Sequence, residues 1–180
     1  LELSYEDPQS FGFYSQITFV LGNFFRIVQN LDPDEAAVFD YSTITDKAYA
    51  SLFLEGKAKD LALQTIEFLE EKEGYANLYI NLTCSPETQL SRIRARNRDH
   101  EAHVDLGFVK TLGGYMNEFV DEAERKGLNV LTINTEKFDL RQQARFATLL
   151  AQHLKKEDSV LSAKSSRRDQ APAFLQSLVA

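Results

Sequence analysis

Residues 79–101 read Y-I-N-L-T-C-S-P-E-T-Q-L-S-R-I-R-A-R-N-R-D-H-E, and the order of residue types in that stretch decides the fold class. The run through Leu82 is short and largely apolar, as a buried strand is. Ser85 then offers an N-cap, Pro86 the first helical position, and Glu87 continues the first turn. Leu90 and Ile93 lie three apart and face a core, whereas Arg92 and Arg96 lie four apart on another face, with Arg98 near the helix end. Four arginines and the closing carboxylate of Glu101 fall within residues 91–101 of an otherwise acidic chain, and such a cluster calls for an anionic partner. Guanidinium forks grip phosphate oxygens bidentately and neutralise charge that develops as a phosphoryl group moves. The same spacing also describes a solvated helix face whose charges pair with Glu87, Asp99 and Glu101.

Outward from this stretch, strand and helix patterns alternate. Residues 36–40, A-A-V-F-D, read as a short strand ending in Asp40, and residues 130–133 as a third strand after 78–82. Helical periodicity covers residues 9 or 10 to about 30, where Phe11, Tyr14, Ile17, Leu21, Phe24, Phe25 and Val28 recur mostly at threes and fours. It returns over 47–54, over 58–71 closed by Gly74, over 105–126 ended by Gly127, and over 140–154. The expected architecture is therefore α/β: three layers, with a parallel sheet flanked by helices on both faces. Acids at strand ends, Asp40 among them, sit where such sheets bind ligands. Gln16 and Asn23, seven apart on an apolar helix, are either exposed or line a polar pocket. Gly113 and Gly114 each cost the long helix about 1 kcal/mol relative to alanine, so a close neighbour or a kink is expected there.

With 180 residues, 43% of them hydrophobic, one domain is expected, over 1–154. From Lys155 the composition turns to Ser, Lys, Arg, Asp and Pro, and 155–180 reads as a polar linker or tail. A net charge of −7 argues against nonspecific binding to nucleic acid or to anionic membranes. No apolar run approaches the ~20 residues of a membrane span, and no signal peptide is visible. The lone Cys84 cannot form an intramolecular disulfide and fits a reducing, cytoplasmic setting. Leu1 in place of Met looks like the start of a fragment.

Three motifs carry a resemblance to the deoxynucleoside kinases of the thymidylate-kinase-like P-loop superfamily, nearest to the bacterial deoxyadenosine and deoxyguanosine kinases. Residues 1–16, L-E-L-S-Y-E-D-P-Q-S-F-G-F-Y-S-Q, follow the family segment that ends in a base-reading glutamine. Asp40, Tyr41 and Ser42, with Asp46, Tyr49 and Ala50, resemble its [DE]-R-S-x-x-x-D-x-x-[FY]-A segment. Arg92, Arg96, Arg98 and Glu101 match its R-x-x-x-R-x-R-x-x-E lid.

The resemblance implies transfer of the γ-phosphoryl group of ATP, with Mg²⁺, to the 5′-hydroxyl of a deoxynucleoside in nucleotide salvage. By position, Gln16 reads the base, Tyr5 and Glu101 hold the sugar 3′-hydroxyl, and Asp40 stands near magnesium and the phosphates. Asp46 lies on the base side of the pocket and Tyr49 takes the aromatic position against the base. Arg92, Arg96 and Arg98 embrace the donor phosphates, and the loop 134–139, with Phe138 and Asp139, falls where the family packs on the adenine of ATP.

The sequence departs from that pattern at Tyr41 and Asn23, where the family usually and often, respectively, has arginine. No G-x-x-x-x-G-K-[ST] occurs, and the acid that acts as base toward the 5′-hydroxyl has no counterpart. Two readings stay open: a kinase whose phosphate-loop segment lies upstream of Leu1, or a loop-less relative that keeps the fold as a binding or structural module. Another nucleotide kinase of the superfamily would share the arginine lid without needing Tyr5, Gln16 and Glu101 together. If the phosphate-loop strand is missing, apolar faces of the remaining strands should be exposed or covered by another segment. The aromatic surface of the first helix exceeds what one core face requires, so a homodimer through it is expected, with the helix over 58–71 as the second candidate contact.

Overall fold

In the computed structural model, which describes residues 8–30 and 37–164, the decisive stretch folds as its residue order implies. Strand β1 (Tyr79–Thr83) leads to helix α4 (Pro86–Arg96), and strand β2 (Val130–Asn134) lies parallel to β1 with Tyr79 opposite Val130 and Thr83 opposite Asn134. Ser85 caps α4 by accepting a hydrogen bond from the Thr88 amide at 3.3 Å. At the other end Asn97 adopts φ 48° and ψ 55°, a left-handed conformation that asparagine tolerates better than most residues, and the helix stops there.

The remaining helices are α1 (Pro8–Gln29), α2 (Thr43–Phe53), α3 (Gly56–Glu73), α5 (Leu106–Arg125) and α6 (Gln143–Lys164). The chain divides into two compact units, residues 1–134 and 135–180. In the first, α2 packs on α1, α3 and α5, which makes it the central helix of the unit. Ile44 and Ala48 of α2 join Tyr79, Phe119, Val120 and Ala123 in one core cluster, while Val20, Phe24 and Ile66 lock α1 to α3 in another. The second unit contains α6 and the turn before it, where the Arg145 guanidinium lies 4.8 Å from the Phe138 ring centroid.

Several expectations are corrected. Residues 37–40 form no strand; Val38 stands 92% exposed, and among the described residues the sheet has two strands. A strand needs a neighbour for its amides and carbonyls, and no described segment pairs with this one. Helix α2 begins at Thr43, four residues before the expected start, because Ser42 caps it: its hydroxyl accepts from the Thr45 amide at 3.3 Å. Helix α6 runs to Lys164, through residues whose composition reads as a tail. A Cβ built on Gly113 or Gly114 would meet nothing within 4 Å, so no close neighbour accounts for that pair. Of the two outcomes expected for the strands' apolar face, exposed or covered, β1 shows exposure at Ile80 and Leu82, 39% and 52%.

Candidate active site

A cleft of about 220 Å³ opens between α1 and α2. Gly12, Ser15, Gln16, Phe19 and Asn23 line it from α1, at helical spacings that form one stripe. From the other side come Tyr41 and, on α2, Thr45, Asp46, Tyr49 and Phe53. The Ser42 cap sets where α2 starts and therefore which of its residues face α1. Tyr49 and Phe53, one turn apart, stack with ring centroids 6.0 Å apart and planes 12° from parallel, giving the cleft an aromatic wall.

Polar contacts inside the cleft centre on Asp46, which is 6% exposed. The Asn23 side-chain amide donates to its two carboxylate oxygens at 3.1 and 3.4 Å, and the Gln16 amide donates to its main-chain carbonyl at 3.5 Å. Burial raises the Asp46 carboxyl from 3.8 to about 6, a rise that the Asn23 hydrogen bond opposes. The neighbouring Lys47 turns into the core instead. Its ammonium lies 2.7 Å from Glu70 of α3, with the two side chains 6% and 4% exposed, and 3.9 Å from Glu122 of α5. Glu122 is opposed by its partial burial but held below the usual carboxylate range by Lys126, 2.6 Å away, and by Lys47.

Beyond the cleft, Arg96 and Glu101 close the end of α4. The Arg96 guanidinium donates to the two Glu101 oxygens at 2.7 and 3.2 Å, and Arg98 approaches one of them at 3.9 Å. Arg92 is exposed on the same helix, and Asp40 is exposed beside Tyr41. In the second unit Asp139 is paired with Arg141 at 2.9 and 3.0 Å. Of the residues assigned from sequence, then, Gln16, Asn23, Tyr41, Asp46 and Tyr49 come together in the cleft. Asp40, Arg92, Arg96, Arg98 and Glu101 are not among its described lining residues, and Tyr5 lies outside the described residues.

The deoxynucleoside kinase family model matches residues 1–157. The chain belongs to the deoxynucleoside kinase family. A deoxyadenosine kinase from Dictyostelium discoideum is 28% identical over 139 residues, which cover 74% of this chain and 56% of the relative. This chain thus spans little more than half the length of that curated relative. The solved structure of deoxyadenosine kinase from M. mycoides with bound dCTP is similar with a TM-score of 0.66 and 18% identity, over 84% of this chain and 78% of that one. The fold shared with this kinase is the α/β arrangement of helices on a parallel sheet.

Sequence reasoning from the family motifs missed Gly12, Ser15, Phe19, Thr45 and Phe53. Their signal was spacing: Phe19 follows Gln16 by three residues and Phe53 follows Tyr49 by four, each on the stripe of a residue already singled out. Among the described residues no three His, Cys, Asp or Glu side chains gather as a metal cage, and no helix is long and apolar enough to cross a membrane.

The raised Asp46 carboxyl has a consequence for stability. Between the unfolded value of 3.8 and about 6 the folded protein keeps a proton that the unfolded chain has lost, so this group makes stability fall as pH rises through that window. Asp46→Asn removes the cost of ionising a buried carboxyl. It should stabilise the fold at pH ~8 by up to roughly 3 kcal/mol and at pH ~4 by much less. Urea unfolding at the two pH values checks this, and an equal effect at both would contradict it.

Proposed function

We propose that the protein transfers the γ-phosphoryl group of ATP, with Mg²⁺, to the 5′-hydroxyl of a deoxynucleoside, a purine one by preference, as a cytoplasmic salvage enzyme. The observation that carries this reading is the convergence of Gln16, Asp46 and Tyr49 in one cleft of a family member. Gln16 offers both a donor and an acceptor to a base edge, Tyr49 and Phe53 give its flat face an apolar wall, and Asp46 supplies a further polar contact. Glu101 and Tyr5 hold the sugar 3′-hydroxyl, with Arg96 orienting the Glu101 carboxylate. Arg92, Arg96 and Arg98 close over the donor phosphates, and Phe138 and Asp139 pack near the adenine of ATP. The donor set suits this chemistry: exposed guanidiniums for phosphate, and in Asp40 a single carboxylate. Mg²⁺ often takes only one or two carboxylates, filling its other positions with phosphate oxygens and water. Asp40 would hold the Mg²⁺, which would supply charge neutralisation on the phosphates of ATP, the phosphoryl donor.

Labelled ATP incubated with the four deoxynucleosides and the full-length protein tests the reading. The expected product is a 5′-monophosphate, formed fastest from a purine nucleoside. A second reading has its own support, since Tyr41 and Asn23 stand in the cleft at positions where the resemblance gives the family arginine usually and often, respectively. If nucleotide and nucleoside bind while no monophosphate forms, the chain is a kinase-like binding module and the enzyme assignment fails.

The domain proposed for this activity is residues 1–154, with the polar residues after it continuing helix α6 to Lys164. Assembly as a homodimer is part of the same proposal. Tyr14, Leu21, Phe25 and Val28 of α1 are 70%, 49%, 63% and 46% exposed, and Leu61 and Phe68 of α3 are 48% and 61% exposed. Apolar surface of this extent on two contacting helices supports the reading of a dimer interface. Phe25→Glu is expected to turn a dimer into a monomer in sedimentation equilibrium, and a native protein that sediments as a monomer at every concentration would contradict the dimer.

A further inference from the structure

The most informative departure from the family pattern is the neutral partner of a buried acid. Asp46 faces a cleft whose described lining carries no cationic side chain; its carboxylate takes two contacts from the Asn23 amide and, among the described residues, no ion pair. No charged side chain among the described residues of the elements around it pairs with it. Gln16 and Asn23 face it from α1, and Arg26, three residues beyond Asn23 on that helix, is exposed. Glu70 of α3 and Glu122 of α5 gather around Lys47, Lys126 is bound to Glu122, and Lys59 of α3 lies over the Tyr115 ring, 5.3 Å from its centroid. Tyr41 and Tyr49 bring phenols to the cleft.

Resting on the reading of this cleft as the nucleoside site, we propose that Asp46 is a titratable selector of the exocyclic group of the base, switching its preference from oxo to amino as the solution becomes more alkaline. The ionised carboxylate can only accept hydrogen bonds, so it favours an exocyclic amino group and leaves a carbonyl oxygen facing negative charge. The protonated acid donates, so it favours the carbonyl. An arginine in place of Asn23 would hold the acid ionised and fix the preference; asparagine leaves it free to change. The raised value of about 6 for this carboxyl places the change near neutrality.

Deoxyadenosine and deoxyinosine differ at the purine 6 position by this exchange of amino for oxo, and neither base titrates between about pH 5 and about pH 8. Calorimetric titration of the full-length protein with each nucleoside, without ATP, reads the effect. The ratio of the deoxyinosine Kd to the deoxyadenosine Kd is expected to rise about tenfold from pH ~5 to pH ~8, as the ionised fraction rises through a group titrating near 6. In Asn23→Arg the ratio should be flat at its alkaline value, and in Asp46→Asn flat as well. A flat or falling ratio in the native protein overturns the proposal, as does a tenfold rise that persists in Asp46→Asn. Binding is measured without turnover. A rising ratio in a protein that makes no monophosphate therefore upholds the selector and rejects the kinase, whereas turnover with a flat ratio does the reverse. If neither nucleoside binds, both are overturned.

Discussion

Arg96→Ala is expected to lower kcat for the proposed deoxynucleoside phosphorylation by about 10²-fold or more, while the KM for the nucleoside changes far less. Phosphoryl transfer asks little covalent chemistry of the protein; its barrier falls through positioning and neutralisation of charge on the moving group. The Arg96 guanidinium, which the proposed mechanism sets over the donor phosphates, is oriented by two hydrogen bonds to Glu101 at 2.7 and 3.2 Å. A guanidinium held in this way needs less reorganisation when phosphate arrives than one free to wander. Steady-state kinetics with saturating ATP separate the two parameters. An equal loss confined to KM would mean that Arg96 serves ground-state binding alone.

Lys47→Met destabilises the fold by about 3–5 kcal/mol, the usual cost of removing one partner from a buried ion pair. The reason is what remains: Glu70, whose side chain is 4% exposed, would lose the ammonium now 2.7 Å away. Replacing both partners, Lys47→Met with Glu70→Leu, should recover most of the loss, because two apolar groups in that site leave no charge stranded. Thermal or urea unfolding of the three proteins measures the cycle; a single variant within about 1 kcal/mol of native would show the pair to be well hydrated after all. The pair joins α2 to α3, with Glu122 bringing in α5, and so steadies the helix that carries Asp46, Tyr49 and Phe53 to the cleft.

Much of this was legible in the amino-acid order. A short apolar run, Ser85, Pro86 and an amphipathic helix specify strand and helix locally: the strand lies within a residue of its expected bounds and the helix starts at Pro86, but it ends at Arg96, short of Arg98. That Arg92, Arg96, Arg98 and Glu101 share one short segment was legible for the same reason, since their spacing places them there. Residues 36–40 were not, because apolar composition allows a strand but only a partner strand makes one. The start of α2 was obscured by Thr43, Ile44 and Thr45, β-branched residues that read as extended until the Ser42 cap is recognised. The extent of α6 shows the converse: Lys155, Lys156 and Glu157 are good helix formers as well as residues typical of a tail. The Lys47–Glu70 pair, 23 residues apart on different helices, left no local trace at all.

The cleft was legible in part, through a resemblance that named Gln16, Asn23, Tyr41, Asp46 and Tyr49 separately. What the sequence could not supply was the distance between them. Only the packing of α1 on α2 sets the Asn23 amide 3.1 Å from Asp46, and only burial makes that acid hard to ionise.

The central claim is that the space between α1 and α2 holds the nucleobase, and a crystal structure of the protein with deoxyadenosine tests it most directly. The expected result is a purine ring lying against Tyr49 and Phe53 with its edge within hydrogen-bonding distance of Gln16 and Asp46. A nucleoside found elsewhere on the molecule, with this cleft holding only water, would contradict it.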